Sequence, residues 1–163
     1  MTRVYTGVKQ RQRRDMRLDF LMLADRAEAI NGKLYMVGGG FDRVGVADAP
    51  GTAIYDVALG FMVAYTETNE PHTFILRMET EDNAVVRAQD GKPVEVTGRV
   101  EVGRPPGMVA GQEQRVIIVV RGPFPVMAEG TFSWVPVLDG QEFQRTRFVV
   151  NRVQPAGLPR ESS

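Results

Sequence analysis

The chain contains no cysteine, so disulfides, thiolate metal sites and cysteine nucleophiles are excluded from the start. It holds a single histidine, His72, and three serines, of which Ser162 and Ser163 are the last two residues. A Ser-His-acid set needs a nucleophile, a base and an orienting carboxylate within hydrogen-bond reach. Ser133 is the remaining nucleophile, and it sits in Thr-Phe-Ser-Trp-Val without the glycines of a strained nucleophile elbow. His72 follows Pro71 at the start of a strand, where an exposed structural histidine is expected. With one histidine, any metal would have to be calcium or magnesium on oxygen ligands. Glu79, Glu81 and Asp82, with Asp90 from the next turn, form the one acidic grouping. They lack the Asp-x-Asp-x-Asp spacing of a calcium loop, and acids enrich turns for their own hydrogen-bonding reasons. No catalytic residue, cofactor or metal site is assigned.

Long apolar runs are also missing. Phe20 to Ala24 is far too short to span a bilayer. The first residues carry charge with no apolar stretch behind them, unlike a secretory signal. The expectation is a cytoplasmic protein with no membrane partner.

What is present is a chain of 163 residues, 43% hydrophobic and 25% charged, which suits one globular domain. Folding at this size buries roughly 70% of the surface that the unfolded chain exposes. Net charge is zero but unevenly placed. Residues 1–17 hold six basic residues against Asp15, a net of +5 that leaves −5 for the remainder. The division expected is a basic N-terminal arm over 1–17, a domain over 18–153 and a tail over 154–163. Arg11, Arg13 and Arg14 of the arm are candidate contacts to an acidic partner or a neighbouring subunit. Without interleaved aromatics beyond Tyr5, the arm supports non-specific contact with nucleic acid and nothing more specific.

Alternation of apolar and polar residues runs through most of the domain. Asn31-Gly32 separates two apolar stretches and predicts a hairpin with a tight turn. Gly38-Gly39-Gly40 then interrupts the second stretch. A phosphate-cradling loop would need a helix, a lysine and a hydroxyl residue to follow, whereas Phe41-Asp42-Arg43-Val44 is strand-like. Two readings remain for the glycines, a β-bulge that bends the strand, which is the favoured one, and a flat backbone surface that a partner approaches closely. Residues 54–65 place Tyr55, Val57, Leu59, Phe61, Val63 and Tyr65 on one face of a central strand. Further strands are expected over 72–80, 84–88, 94–102, 114–121, 131–138 and 142–150. Val94, Val96, Gly98, Val100 and Val102 should point inward, and Ile117 to Val120 should form a buried strand. Asp90-Gly91 and Asp139-Gly140 read as hairpin turns, and Trp134 beside Phe132 reads as core. No helix of three turns can be placed. About eight strands with turn signals every ten residues predict an all-β fold: a single antiparallel β-sandwich of immunoglobulin-like or related Greek-key topology.

Phe20-Leu21-Met22-Leu23-Ala24-Asp25, Asn31-Gly32-Lys33-Leu34-Tyr35, Gly38-Gly39-Gly40-Phe41-Asp42-Arg43 and Glu101-Val102-Gly103-Arg104-Pro105-Pro106-Gly107 resemble recurring segments of a family of small uncharacterised bacterial proteins, a domain of unknown function. The resemblance covers about Leu18 to Val150. It implies a β-sandwich and supplies no activity. From the residues, the leading expectation is a non-catalytic binding module whose loops or sheet edge contact another protein. The stiff loop Arg104-Pro105-Pro106 loses little entropy on binding and, with Arg43, supplies the candidate contacts. The alternatives are a structural subunit of a larger assembly, such as a shell or virion, and a weak hydrolase. Self-association is a partner expectation alongside a separate protein.

Overall fold

Residues 15–154 are described by a computed structural model. Their strands are β1 (Met16–Ile30), β2 (Lys33–Phe41), β3 (Arg43–Val46), β4 (Gly51–Ala53), β5 (Asp56–Ala64), β6 (Pro71–Thr80), β7 (Glu95–Glu101), β8 (Glu113–Arg121), β9 (Phe124–Val126), β10 (Gly130–Leu138), β11 (Gln141–Glu142) and β12 (Thr146–Arg152). A single 3₁₀ turn, Tyr65–Glu67, joins β5 to β6. Among the described residues no helix is long and apolar enough to cross a membrane.

The alternation in β5 sets the first sheet, ordered β2-β1-β5-β8 with every neighbour antiparallel. Val57, Leu59, Phe61 and Val63 point to one side and are fully buried. Burial of such side chains stabilises by roughly 1.5–3 kcal/mol each. The second sheet runs β3-β12-β10-β6-β7, with β11 paired to β10. From β6 it contributes Phe74, Leu76 and Met78, and from β10 and β12 Trp134 and Phe148. All of these join the inward residues of the first sheet in one core cluster. A two-stranded ribbon, β4 with β9, closes one end.

The fold is all-β, as the sequence predicts, but the strand count and sheet count differ. Twelve strands in three sheets stand where about eight strands were expected, and β3 runs parallel to β12 in an otherwise antiparallel sheet. The stretch 84–88 forms only isolated bridges, Glu79 with Val85 and Arg87 with Pro93, because the turns on either side leave too few residues for a ladder. The stretch 142–150 divides into β11 and β12. Gln114 to Arg121 was expected to be a buried strand, and β8 instead lies at the edge of its sheet. Along β7 only the flanking Val94 and Val102 are buried, while Val96 is 37% exposed, since β7 too is an edge.

The hairpin and bulge match the expectation. Asn31 and Gly32 take φ of 50° and 71°, which a tight two-residue turn requires. Leu23 pairs with Phe41 and Ala24 with Gly39, so Gly40 is the extra residue, at φ 88°.

Aromatic rings tie the layers together. Tyr55 lies 4.8 Å from Phe124, 6.2 Å from Phe148 and 6.3 Å from Phe41 by ring centroids. Burial pushes the Tyr55 phenol well above its ordinary value near 10, and the hydrogen bond from Trp134 offsets part of that rise. A group whose folded value is raised contributes fully below its unfolded value and loses that contribution as pH climbs. Stability should therefore hold to about pH 10 and then fall by roughly 1 kcal/mol per pH unit from this residue. Urea midpoints of Tyr55→Phe and the parent chain, compared across pH 8–11, should diverge in slope only above pH 10.

Candidate interaction surface

The histidine and the serine singled out in the sequence are both buried. His72 is 1% exposed rather than exposed as expected, because it shares a face of β6 with Phe74, Leu76 and Met78. Its Nδ1 lies 2.7 Å from Asp139 Oδ2 and its Nε2 lies 2.9 Å from the Glu67 carbonyl. Asp139 Oδ1 in turn accepts the Thr73 N–H at 2.8 Å. The imidazole thus joins the 3₁₀ turn, the start of β6 and the β10–β11 turn. Ser133 is opposite Glu79, seven residues along β6 from His72, which is roughly 23 Å at strand spacing. No triad can form from these residues.

The acidic grouping is taken apart in the same way. Glu79 is 2% exposed and accepts from Arg77 Nε at 2.7 Å and Arg145 Nη1 at 2.8 Å. Arg77 also reaches Glu142. The hydrogen bond to Glu79 and the charge of Glu142 raise the Arg77 pKa against the opposing effect of burial. Glu81 and Asp82 stay exposed, and Asp90 accepts the Lys92 N–H within its own turn at 3.0 Å. Among the described residues no three acidic or histidine side chains converge to hold a metal. Asp56, 4% exposed, accepts the Ala27 N–H at 2.9 Å and so fixes β1 against β5.

Arg104 is likewise engaged. Its guanidinium lies 3.7 Å from the centroid of the Tyr65 ring, a cation–π contact. Nε donates to Thr68 Oγ1 at 2.9 Å, Nη1 to the Tyr65 hydroxyl at 3.1 Å and Nη2 to the Tyr65 carbonyl at 3.1 Å. Its backbone N–H donates to Asn69 Oδ1 at 3.0 Å. These bonds pin the loop to the 3₁₀ turn. Pro105 and Pro106 remain exposed and border an open cleft with Gln112 and Gln114. Arg43 begins β3 and lines a small cleft with Asp25, Phe41 and Tyr55. It forms no ion pair among the described residues. Arg43 lies by the Tyr55 end of β5 and Arg104 by the Tyr65 end, roughly 30 Å apart at strand spacing, so they do not share a surface. Arg11, Arg13 and Arg14 lie outside the described residues.

The first sheet is apolar on both sides. Its face turned away from the second sheet is also apolar. Ala24, Ala27 and Ala58 are fully buried there beneath Phe20, Leu34, Met36 and Val119, all from β1, β2, β5 and β8. Those four larger side chains are half-buried. Gly60 leaves room for the Phe20 ring, since a Cβ there would fall 2.4 Å from Phe20 Cε1. Charges rim this layer. Arg17 pairs with Glu113 at 3.0 Å and Arg115 with Asp19 at 2.7 Å at one end, while Arg121 pairs with Glu28 at 3.0 Å at the other. The alternation of β5 held the signal, because Ala58, Gly60 and Met62 are apolar where a solvated face would be polar.

His72, Glu79 and Ser133 of this all-β chain are buried, and the outward face of its first sheet is apolar. Residues 19–151 match a family of unknown function (DUF6941), and the chain belongs to that family. No curated protein matches it. Solved structures with some likeness include a β-glucosidase from Listeria innocua, at 9% identity and TM-score 0.41, covering 85% of this chain and 16% of that one. Another is an immunoglobulin-like protein from Pseudomonas aeruginosa, at 11% identity and TM-score 0.38, covering 84% of this chain and 97% of that one. Likeness at this level carries no argument about activity or binding.

Proposed function

We propose that this chain is a non-catalytic binding module, a two-layer sandwich of immunoglobulin-like kind that contacts another protein through its first sheet. The sandwich reading is supported by the single core cluster shared by both large sheets. The observation that carries the functional reading is the outward apolar layer of Phe20, Leu34, Met36 and Val119 over three buried alanines. Contiguous exposed apolar surface rimmed by charge is characteristic of protein–protein contact sites. Catalysis is disfavoured because His72, Glu79 and Ser133 are buried, and Ser133 and Glu79 lie seven residues along β6 from His72.

A photo-crosslinking residue at Met62, on that face, should give reproducible adducts with protein. The same residue at Thr97, on the charged outer face of β7, should give none. Failure of Met62 to crosslink across repeated preparations, or equal labelling from Thr97, would overturn the reading.

A further inference from the structure

Four strands end the two large sheets, and three of them carry features that discourage further pairing. β7 bears Glu95, Arg99 and Glu101. β8 bears Glu113, Arg115 and Arg121, each held in an ion pair. β3 is only four residues long. Charge and shortness are the usual protections of a sheet edge. β2 has neither. Its one charge is Lys33 at the first position, Leu34 to Phe41 has none, and Tyr35 and Val37 are 54% and 69% exposed.

The same segment lacks a third strand. Pairing of β1 with β5 stops at Ala24 opposite Asp56. Beyond it, Arg26–Ile30 pairs only with Lys33–Val37, a two-stranded ribbon. Such a ribbon is marginal in water by itself. The regular edge has a defined end as well, because Gly38 and Gly40 take φ of 61° and 88° and kink the strand. Five residues, Lys33 to Val37, are left for pairing.

We propose that two copies of this chain pair antiparallel through these five residues, about a two-fold axis at Tyr35, joining their first sheets into one continuous sheet. This goes beyond the reading of the chain as a binding module, since it uses the edge of the first sheet and leaves the outward apolar face to another protein. The register is self-complementary. Tyr35 meets Tyr35 of the other copy, Leu34 meets Met36, and each Lys33 falls beside a valine rather than a lysine. The hydrogen-bond phase agrees. The tight turn at Asn31-Gly32 makes Ile30 and Lys33 a hydrogen-bonded pair, so Lys33, Tyr35 and Val37 direct their backbone groups to β1. Leu34 and Met36 direct theirs outward, and the two-fold places those two residues opposite each other. Tyr35 and its symmetry mate then form a non-hydrogen-bonded pair, the closer kind, with Cα atoms about 4.5 Å apart. An isologous contact of this sort closes at two copies.

The absence of cysteine makes the test direct. The full chain should run in light scattering at twice the 18.1 kDa of one chain. Tyr35→Cys, oxidised with glutathione disulfide, should crosslink to a covalent dimer. Val37→Cys should not, since its opposite residue is Lys33. Tyr35→Lys places two cations face to face and should halve the mass while leaving circular dichroism unchanged, and its thermal midpoint should fall below the parent's and lose the parent's dependence on protein concentration. A parent chain that stays monomeric at about 100 μM, a dimer that survives Tyr35→Lys, or crosslinking through Val37→Cys equal to Tyr35→Cys would each overturn the proposal. A monomer that still crosslinks protein through Met62 would reject self-pairing and leave the binding-module reading standing.

Discussion

Trp134→Ala should lower stability by about 3–5 kcal/mol, the range for removing a large buried aromatic. Trp134 is fully buried in β10, with Met78 and Thr146 as its strand neighbours. Its ring meets Phe124 edge-on at 4.9 Å and stacks on Phe148 at 6.4 Å. Its Nε1–H donates to the Tyr55 hydroxyl at 3.1 Å, a bond that links the second sheet to the entry of β5. Alanine therefore opens a cavity between the layers and removes the donor from a buried phenol. Trp134→Phe separates the two effects, since it keeps most of the ring packing and loses the N–H. That variant should cost about 1 kcal/mol, the net worth of one hydrogen bond, plus a smaller packing loss. Urea midpoints at constant slope read both values. An alanine variant within 1 kcal/mol of the parent would mean that the aromatic cluster is not what holds the layers together.

Local signals carried the elements, and position within the sheets was much harder to read. The turns at Asn31-Gly32 and Asp139-Gly140 follow from residues that tolerate positive φ, and both have it. The bulge at Gly40 and the core role of Trp134 were legible for similar local reasons. The placement of β8 was not. Val116, Ile118 and Val120 face the main core while Val119 packs into the outer apolar layer. A strand apolar on both faces looks central, although here the two faces serve two different layers. The burial of His72 was available from its parity with Phe74, Leu76 and Met78, but Pro71 suggested a solvated strand start. The Arg104 cage was not available at all, because Tyr65 lies 39 residues away and cation–π pairing leaves no local pattern. The unprotected edge of β2 is visible as composition, yet which strands become edges is decided by topology.

His72→Leu should destabilise the chain by about 2–4 kcal/mol, although leucine suits the volume. Breaking a buried pair removes a charge-assisted bond from its partner, and because Asp139 keeps the Thr73 N–H the cost stays below that of a fully orphaned buried charge. Asp139, with a side chain 13% exposed, loses its partner at 2.7 Å, and the Glu67 carbonyl loses the one at 2.9 Å. The loss falls where three segments meet, so the 3₁₀ turn and the β10–β11 turn should loosen together. Hydrogen exchange should rise at Thr68 and Asp139, whose backbone N–H groups bond to Tyr65 and Thr73, before it rises at Leu59 in β5. A catalytic histidine would behave differently, since its replacement would abolish turnover with little change in the denaturation midpoint. Asp139→Asn offers the check on mechanism, because the amide retains an oxygen acceptor and should lose less than His72→Leu. If both variants keep the parent's midpoint, His72 is not structural, and the case against chemistry at this position falls with it.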